Sequence, residues 1–323
     1  RIFYFIVLPI LLTAGIGFAI QKVLGLDMPT LRRLNFYFVM PAIVYASLVS
    51  SRVAIGQIGT VVGFVVALMV CMSALTYLVG WLRGMSATER RAMMMTTILY
   101  NSGNYGLPLQ QMAFRRYGLS DPAMGLQVFV MVTQNFLQFT YGILLVAGGR
   151  KDRHWRENLL HIAKFPPLYA LAAAVITILI REALGRRADG VAEALHPFWQ
   201  AITYVKNAFL AIALCTLGAQ LATVPRGGRR YPVSLSVLLR LAVGPILGFA
   251  LVWLLGLEGF IAQVLLISTT SPTAVNCMLL CMEFDCHPDY AARAVFYSTL
   301  LSPITVTLVI FLARSGLMPQ VAF

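Results

Sequence analysis

Apolar residues occur in ten long blocks, separated by short stretches rich in charge, glycine and proline. The blocks cover about 2–20, 34–50, 58–82, 92–114 and 123–147, then about 166–180, 198–221, 233–256, 260–283 and 290–312. A helix of about 20 apolar residues crosses the hydrocarbon core of a bilayer. The pattern therefore predicts an all-α polytopic membrane protein with ten transmembrane helices. The first block lacks a small-residue cleavage site and holds Pro9 in its middle, so it reads as a span and not as a signal peptide, with a few residues missing before Arg1. The one sizeable break is the basic stretch 148–165, which divides the chain into a five-span half at 1–147 and another at 166–323.

Composition agrees with this. Of 323 residues, 59% are hydrophobic and 11% charged, and the mean hydropathy is +0.80. A soluble domain carries about 25% charged residues, so that class is excluded. Ten spans also leave no room for a large extramembrane domain. The formal charge of +13 would suggest nucleic acid as a partner in a soluble protein, but here it sorts by side. Of the 25 Lys and Arg, fifteen fall in loops or at span ends on one side, eight on the other, and Lys206 and Arg240 lie deeper inside spans. The positive-inside rule then places the 148–165 loop in the cytoplasm and both termini outside, in a plasma membrane such as the bacterial inner membrane. The expected partner of the surface is the lipid bilayer, not nucleic acid.

Five spans per half force the halves into opposite orientations, as in inverted-repeat transporters. A shift of 167 residues superposes the turn beginning at Tyr117 on that beginning at Phe284, Asn135 on Ser302, and Gln138 on Thr305. The strongest local signals lie within the fourth and ninth spans. The fourth reads Asn101-Ser-Gly-Asn104-Tyr-Gly106-Leu-Pro108, and the ninth reads Thr269-Thr-Ser-Pro272-Thr273-Ala-Val-Asn276. Proline removes an amide donor and clashes one turn back, while glycine and asparagine favour non-helical backbone. Both helices are expected to break near the midplane, whereas Pro9, Pro41, Pro245 and Pro303 read as simple kinks.

Open backbone at membrane depth is tolerated only against protein or a polar cavity, so paired breaks point to a binding site. Half-helices starting after Pro108 and Pro272 would bring N-terminal N–H groups together, which suits an anion. The side-chain amides of Asn101, Asn104 and Asn276 lie beside them. Gln127, Gln134, Gln138 and Tyr141 form one face of span five, as site residues or as hydrogen-bonding glue between helices. None of the twelve carboxylates falls mid-span, which disfavours a carboxylate-based cation exchanger, although a sodium site of neutral ligands stays open. Of the two cations within spans, Arg240 is expected to snorkel to the interface, and Lys206 is the better candidate for attracting an anion.

HExxH, GxSxG and GxxxxGK[ST] are missing, and the four histidines lie in loops, so no enzyme signature is present. Cys277, Cys281 and Cys286 match no standard zinc spacing, and no metal is expected. GxxxG at Gly59–Gly63 and at Gly244–Gly248 reads first as close helix packing and second as an oligomer contact.

The run from Ser271-Pro-Thr-Ala-Val-Asn276 through Ser298-Thr-Leu-Leu-Ser-Pro303 resembles the C-terminal signature of the auxin efflux carrier family. The 101–108 block resembles the fourth helix of that family, and Leu34-Asn-Phe-Tyr-Phe-Val-Met-Pro41 its second. The resemblance implies two inverted five-helix repeats in a fold like that of the bile-acid symporters and sodium–proton antiporters, with helices four and nine crossing at Pro108 and Pro272. It implies a scaffold of helices one, two, six and seven, a moving transport domain of the others, and a homodimer through the scaffold. It also implies carriage of small organic anions by alternating access. The site at the crossing would comprise Asn101, Asn104, Gly106, Pro108, Pro272, Thr273, Asn276, Gln134, Gln138 and Lys206, with Asn101 meeting the substrate carboxylate. Members carry indole-acetic acid in plants and dicarboxylates in bacteria. The short central loop here departs from the plant pattern, which argues against auxin itself as the substrate. A sodium-coupled symporter of the bile-acid type and a membrane anion sensor are the alternatives.

Overall fold

The computed structural model describes residues 1–50, 55–147, 166–185, 193–224 and 233–314. The basic stretch 148–165 lies outside the described residues, as do Arg226, Arg229 and Arg230. The described chain is helical, without a β-strand among the described residues. Among the described residues, eight helices are long and apolar enough to cross a membrane: α1 (Phe3–Leu24), α2 (Met28–Ser50), α3 (Ile55–Leu82), α6 (Ser120–Ala147), α7 (Pro166–Leu184), α8 (His196–Ala222), α9 (Val233–Leu254) and α12 (Pro288–Arg314). The remaining two segments are each divided. The fourth consists of α4 (Ala87–Ile98) and α5 (102–114), and the ninth of α10 (Gly259–Thr269) and α11 (Val275–Glu283).

Local chemistry accounts for the ends. Ser86 and Glu89 form a capping box that starts α4, Ser86 N–H donating to Glu89 Oε2 at 2.8 Å and Glu89 N–H to Ser86 Oγ at 3.3 Å. The chain therefore enters the helix at Ala87, earlier than the apolar block at 92 indicates. Gly118 ends α5 in the left-handed region at φ 70°.

The prolines fall into a different grouping from that expected. A π-helical turn precedes Pro9 (Phe3–Val7), Pro41 (Asn35–Val39), Pro245 (Leu239–Val243) and also Pro108 (Ser102–Gly106). A turn with i to i+5 bonding makes room for a ring that carries no N–H, so the helix continues through it. Pro108 thus belongs with the kinks, and the fourth segment breaks seven to nine residues earlier, at 99–101, where no proline stands. Pro272 does sit inside its break, at 270–274.

α1 packs along α8, and α2 along α7 and α8. Tyr45 on α2 holds the group together, its hydroxyl 3.1 Å from Thr177 Oγ1 on α7 and its ring 6.5 Å from that of Trp199 on α8. Gly248 on α9 meets Thr269, the last residue of α10, and a Cβ at 248 would stand 2.6 Å from Thr269 Cγ2. Gly59 and Gly63 behave otherwise: a Cβ at either meets nothing within 4 Å, so this pair makes no close helix contact within the described chain.

Candidate functional site

The two interruptions lie against each other. Asn101 N–H donates to the Pro272 carbonyl at 2.8 Å and Ala274 N–H to the Leu99 carbonyl at 3.1 Å, pairing Tyr100 with Thr273 in a short antiparallel bridge. Buried peptide groups that lose helical partners must find others, and here each break supplies them to the other.

The C-terminal ends of the preceding half-helices have their carbonyls engaged from elsewhere in the chain. At the end of α4, the Met95 carbonyl receives the Cys277 thiol at 3.2 Å, the Thr96 carbonyl the Thr273 hydroxyl at 2.7 Å, and the Thr97 carbonyl Arg240 Nη1 at 3.0 Å. At the end of α10, the Thr269 carbonyl receives Arg240 Nη2 at 2.5 Å, while Thr270 and Ser271 N–H groups turn back to Ile267 and Ser268. The N-terminal ends of α5 and α11 differ. Their N-cap residues, Asn101 and Ala274, make no side-chain cap; Ser102 N–H turns back to the Tyr100 carbonyl at 2.8 Å and Cys277 N–H to the Ala274 carbonyl at 3.1 Å, while the other N–H groups of a first helical turn have no partner within their helix.

These uncapped ends face one cavity of about 390 Å³, a volume in the range of small-molecule sites. Asn101, Ser102, Gly103 and Asn104 line it from the start of α5, and Ala274, Val275 and Asn276 from the start of α11. Gln134 and Gln138 on α6, Asn35 on α2 and Gln220 on α8 add amides that are all at least nine-tenths buried. Asn35 Nδ2 donates to Asn104 Oδ1 at 2.9 Å, while Asn35 Oδ1, Gln134 Oε1 and Gln220 Oε1 are buried without a partner. Burying an unmade polar group is costly, so a cavity lined by several suits water or a polar ligand. The guanidinium-bearing Arg32 and Arg33 and the carboxyl-bearing Glu283 stand along the same lining.

Five of the ten residues expected at the site therefore line the cavity: Asn101, Asn104, Asn276, Gln134 and Gln138. Pro272 and Thr273 hold the bridge from behind. Thr273 gives its N–H to Ser298 Oγ at 3.1 Å as well as its hydroxyl to Thr96. Pro108 lies on into α5, away from the lining. Gly106 provides space, since a Cβ there would stand 2.5 Å from Gln127 Nε2. That amide donates to the Ser102 carbonyl at 2.9 Å and Gln127 Oε1 accepts from Gln110, which also donates to the Val264 carbonyl at 2.8 Å, tying α5 to α6 and α10. Gly106→Ala is expected to lift Gln127 off Ser102 and cost ~1–3 kcal/mol of stability. The readout is thermal unfolding in detergent, and an unshifted transition would mean that this ladder does not hold the break.

Two expectations are corrected. Lys206 does not line the cavity: its ammonium pairs with Asp121 at 2.7 Å, joining α8 to the start of α6. The two are 85 residues apart, so sequence proximity hides the pair. Arg240 does not snorkel. It is fully buried, bonded to Thr97 and Thr269, with its guanidinium 4.8 Å from the centre of the Tyr100 ring. Asn35, Gln220, Arg32 and Arg33 do not stand out in the sequence; the one available signal is an isolated polar residue near the end of an apolar span.

Eight membrane-length apolar helices among the described residues, and a polar cavity where two interrupted helices meet, give the build of a multi-pass membrane transporter. The chain belongs to the family described as membrane transport protein, whose model matches residues 3–164 and 155–310; this is the auxin efflux carrier family that its motifs resemble. An uncharacterized transporter of Methanothermobacter thermautotrophicus is 24% identical over 94% of this chain and 95% of its own length. An uncharacterized transporter of Methanocaldococcus jannaschii is 22% identical over 94% of this chain and 96% of its own. A Rhizobium meliloti protein named "Putative malonate transporter" is 28% identical over 39% of this chain and 40% of its own length.

Proposed function

We propose that this protein is a secondary carrier of small organic anions, carboxylates in particular, which it moves by alternating access. The observation that carries this reading is the asymmetry at the breaks. The C-terminal carbonyls of α4 and α10 are engaged by the Arg240, Thr273 and Cys277 side chains and by backbone N–H groups, whereas the two N-terminal ends, without side-chain caps, open onto a cavity of buried amides. Each such end presents about half a positive charge, and the amides of Asn101, Asn276, Gln134 and Gln138 can turn an NH₂ toward a carboxylate. The name of the Rhizobium relative is consistent with a short dicarboxylate.

The mechanism follows the inverted-repeat reading. Gly118 and Asp285, which the 167-residue shift superposes, are both left-handed, at φ 70° and 49°, and this supports the repeat. In this reading α1, α2, α7 and α8 form a fixed scaffold, consistent with their mutual packing, and mediate a homodimer. The remaining helices move as a transport domain. Arg32, Arg33, Pro167, Gln220 and Glu283 all belong to span ends that the positive-inside rule assigns to the cytoplasm. The cavity they line is then inward-open, with the termini outside. Purified protein in liposomes is expected to take up labelled malonate saturably, with competition by related carboxylates. Absence of saturable flux over a panel of mono- and dicarboxylates would refute the carrier.

A further inference from the structure

Arg240 is the bulkiest of the fully buried side chains, and among the described residues no carboxylate pairs with it. A guanidinium in that position is tolerated only where something else matches its charge. The match comes from the two helix C-termini. Nη1 meets the Thr97 carbonyl in the last turn of α4, and Nη2 meets the Thr269 carbonyl at the last residue of α10. Each such end carries about half a negative charge, so the pair together offsets one guanidinium. Gly244, one turn along α9, leaves the room: a Cβ there would stand 2.8 Å from Nη2. The Tyr100 ring covers the guanidinium at 4.8 Å and also lines the cavity, so the fixed charge lies one ring away from the anion site.

Carbonyl ends of broken helices inside a membrane are the ligands that a bound alkali cation takes in ion-coupled carriers. Here both are already engaged. We infer that Arg240 is a resident cation standing where a coupling ion would otherwise bind, so that anion binding and transport proceed without sodium. The four helix ends at the crossing then divide cleanly: the negative pair is neutralised from within the protein, and the positive pair is left for the substrate. Arg240 is a positioning residue in this scheme and does not touch the anion.

This inference rests on the carrier reading, and its test separates the two. In proteoliposomes, malonate uptake by the unaltered protein is expected to be the same when sodium is replaced by potassium or choline; uptake that requires sodium overturns the inference and leaves the carrier intact. Arg240→Ala is expected to lose about tenfold or more of the flux and to regain part of it with millimolar guanidinium or an alkali cation. Loss in a folded, monodisperse variant that no cation restores overturns the inference, as does full flux. Arg240→Lys, which keeps the charge, is expected to retain more flux than Arg240→Gln, which keeps donors without charge. The reverse order would reduce Arg240 to a hydrogen-bonding strut. Guanidinium is also expected to raise the thermal unfolding temperature of Arg240→Ala more than that of the unaltered protein. That readout needs no substrate, so it decides the matter even if malonate is not carried.

Discussion

Asn101→Asp is expected to reduce the affinity for a carboxylate substrate by about three orders of magnitude, more than the larger truncation Asn101→Ala. Asn101 sits at the mouth of α5, lines the cavity and is only 8% exposed. Exchanging its amide for a carboxylate changes almost no volume but sets a negative charge beside the bound anion. Two unit charges about 4 Å apart repel by ~4 kcal/mol at an effective permittivity of about 20, and 1.4 kcal/mol is a factor of about ten. Asn101→Ala removes a single hydrogen bond to a charged group, worth ~1.5–3 kcal/mol, so a loss of about ten- to a hundredfold is expected. The introduced carboxyl also brings a pH dependence of known sign: it repels while ionised, so the deficit of Asn101→Asp shrinks as pH falls and the group takes up a proton. Binding measured by thermal shift or uptake across a pH series checks this. Equal losses in the two variants, independent of pH, would place the anion away from the start of α5.

Gly218→Ala is expected to be the most damaging single-methyl change in the scaffold. At Gly218 a Cβ would stand 1.8 Å from the Ala14 carbonyl oxygen and 2.8 Å from Phe18 N; at Gly17 one would stand 2.2 Å from the Cys215 carbonyl oxygen. The obstructing atoms are backbone, which cannot swing aside as a side-chain tip does. α1 and α8 must therefore separate along their contact, and the close approach of small residues is what packs helices in lipid. Overpacking of a close-packed interface costs ~1–3 kcal/mol, and a backbone obstruction belongs at the top of that range or beyond. The expected result is a lowered thermal unfolding temperature and a poor monodisperse yield. Gly59→Ala serves as the control, since its added methyl meets nothing within 4 Å, and it is expected to behave as the unaltered protein. Similar behaviour of both variants would show that the α1–α8 contact is less intimate than the structure has it.

Much of the site is legible in the amino-acid sequence. Asn101, Asn104, Asn276, Gln134 and Gln138 stand out because each is an amide inside an apolar block, where a polar group must be satisfied by a neighbour or a ligand. The fourth-span break is legible in existence but not in place. Pro108 attracts the assignment because proline is the residue that most often interrupts a helix, yet a π-helical turn over Ser102–Gly106 carries the chain through it. The break at 99–101 instead follows from bonds to residues more than 170 positions away, Pro272 and Ala274. Arg240 and Lys206 mislead for the same reason. Distance from a span end is the one measure that sequence offers for each, whereas their fate depends on partners 143, 29 and 85 residues distant: Thr97 and Thr269 for Arg240, and Asp121 for Lys206.

The amino-acid sequence by itself determined that this protein lives in a membrane, how many apolar segments it has, how its basic residues gather between those segments, and which family it belongs to. Those properties are sums over neighbouring residues, since transfer into hydrocarbon and retention of Lys and Arg at one face act segment by segment. The tertiary structure decided where the helices open, which carbonyls the buried guanidinium meets, and which amides share a cavity. Unpaired backbone and buried charge must find partners wherever the fold brings them, and no local pattern states which distant residues those will be.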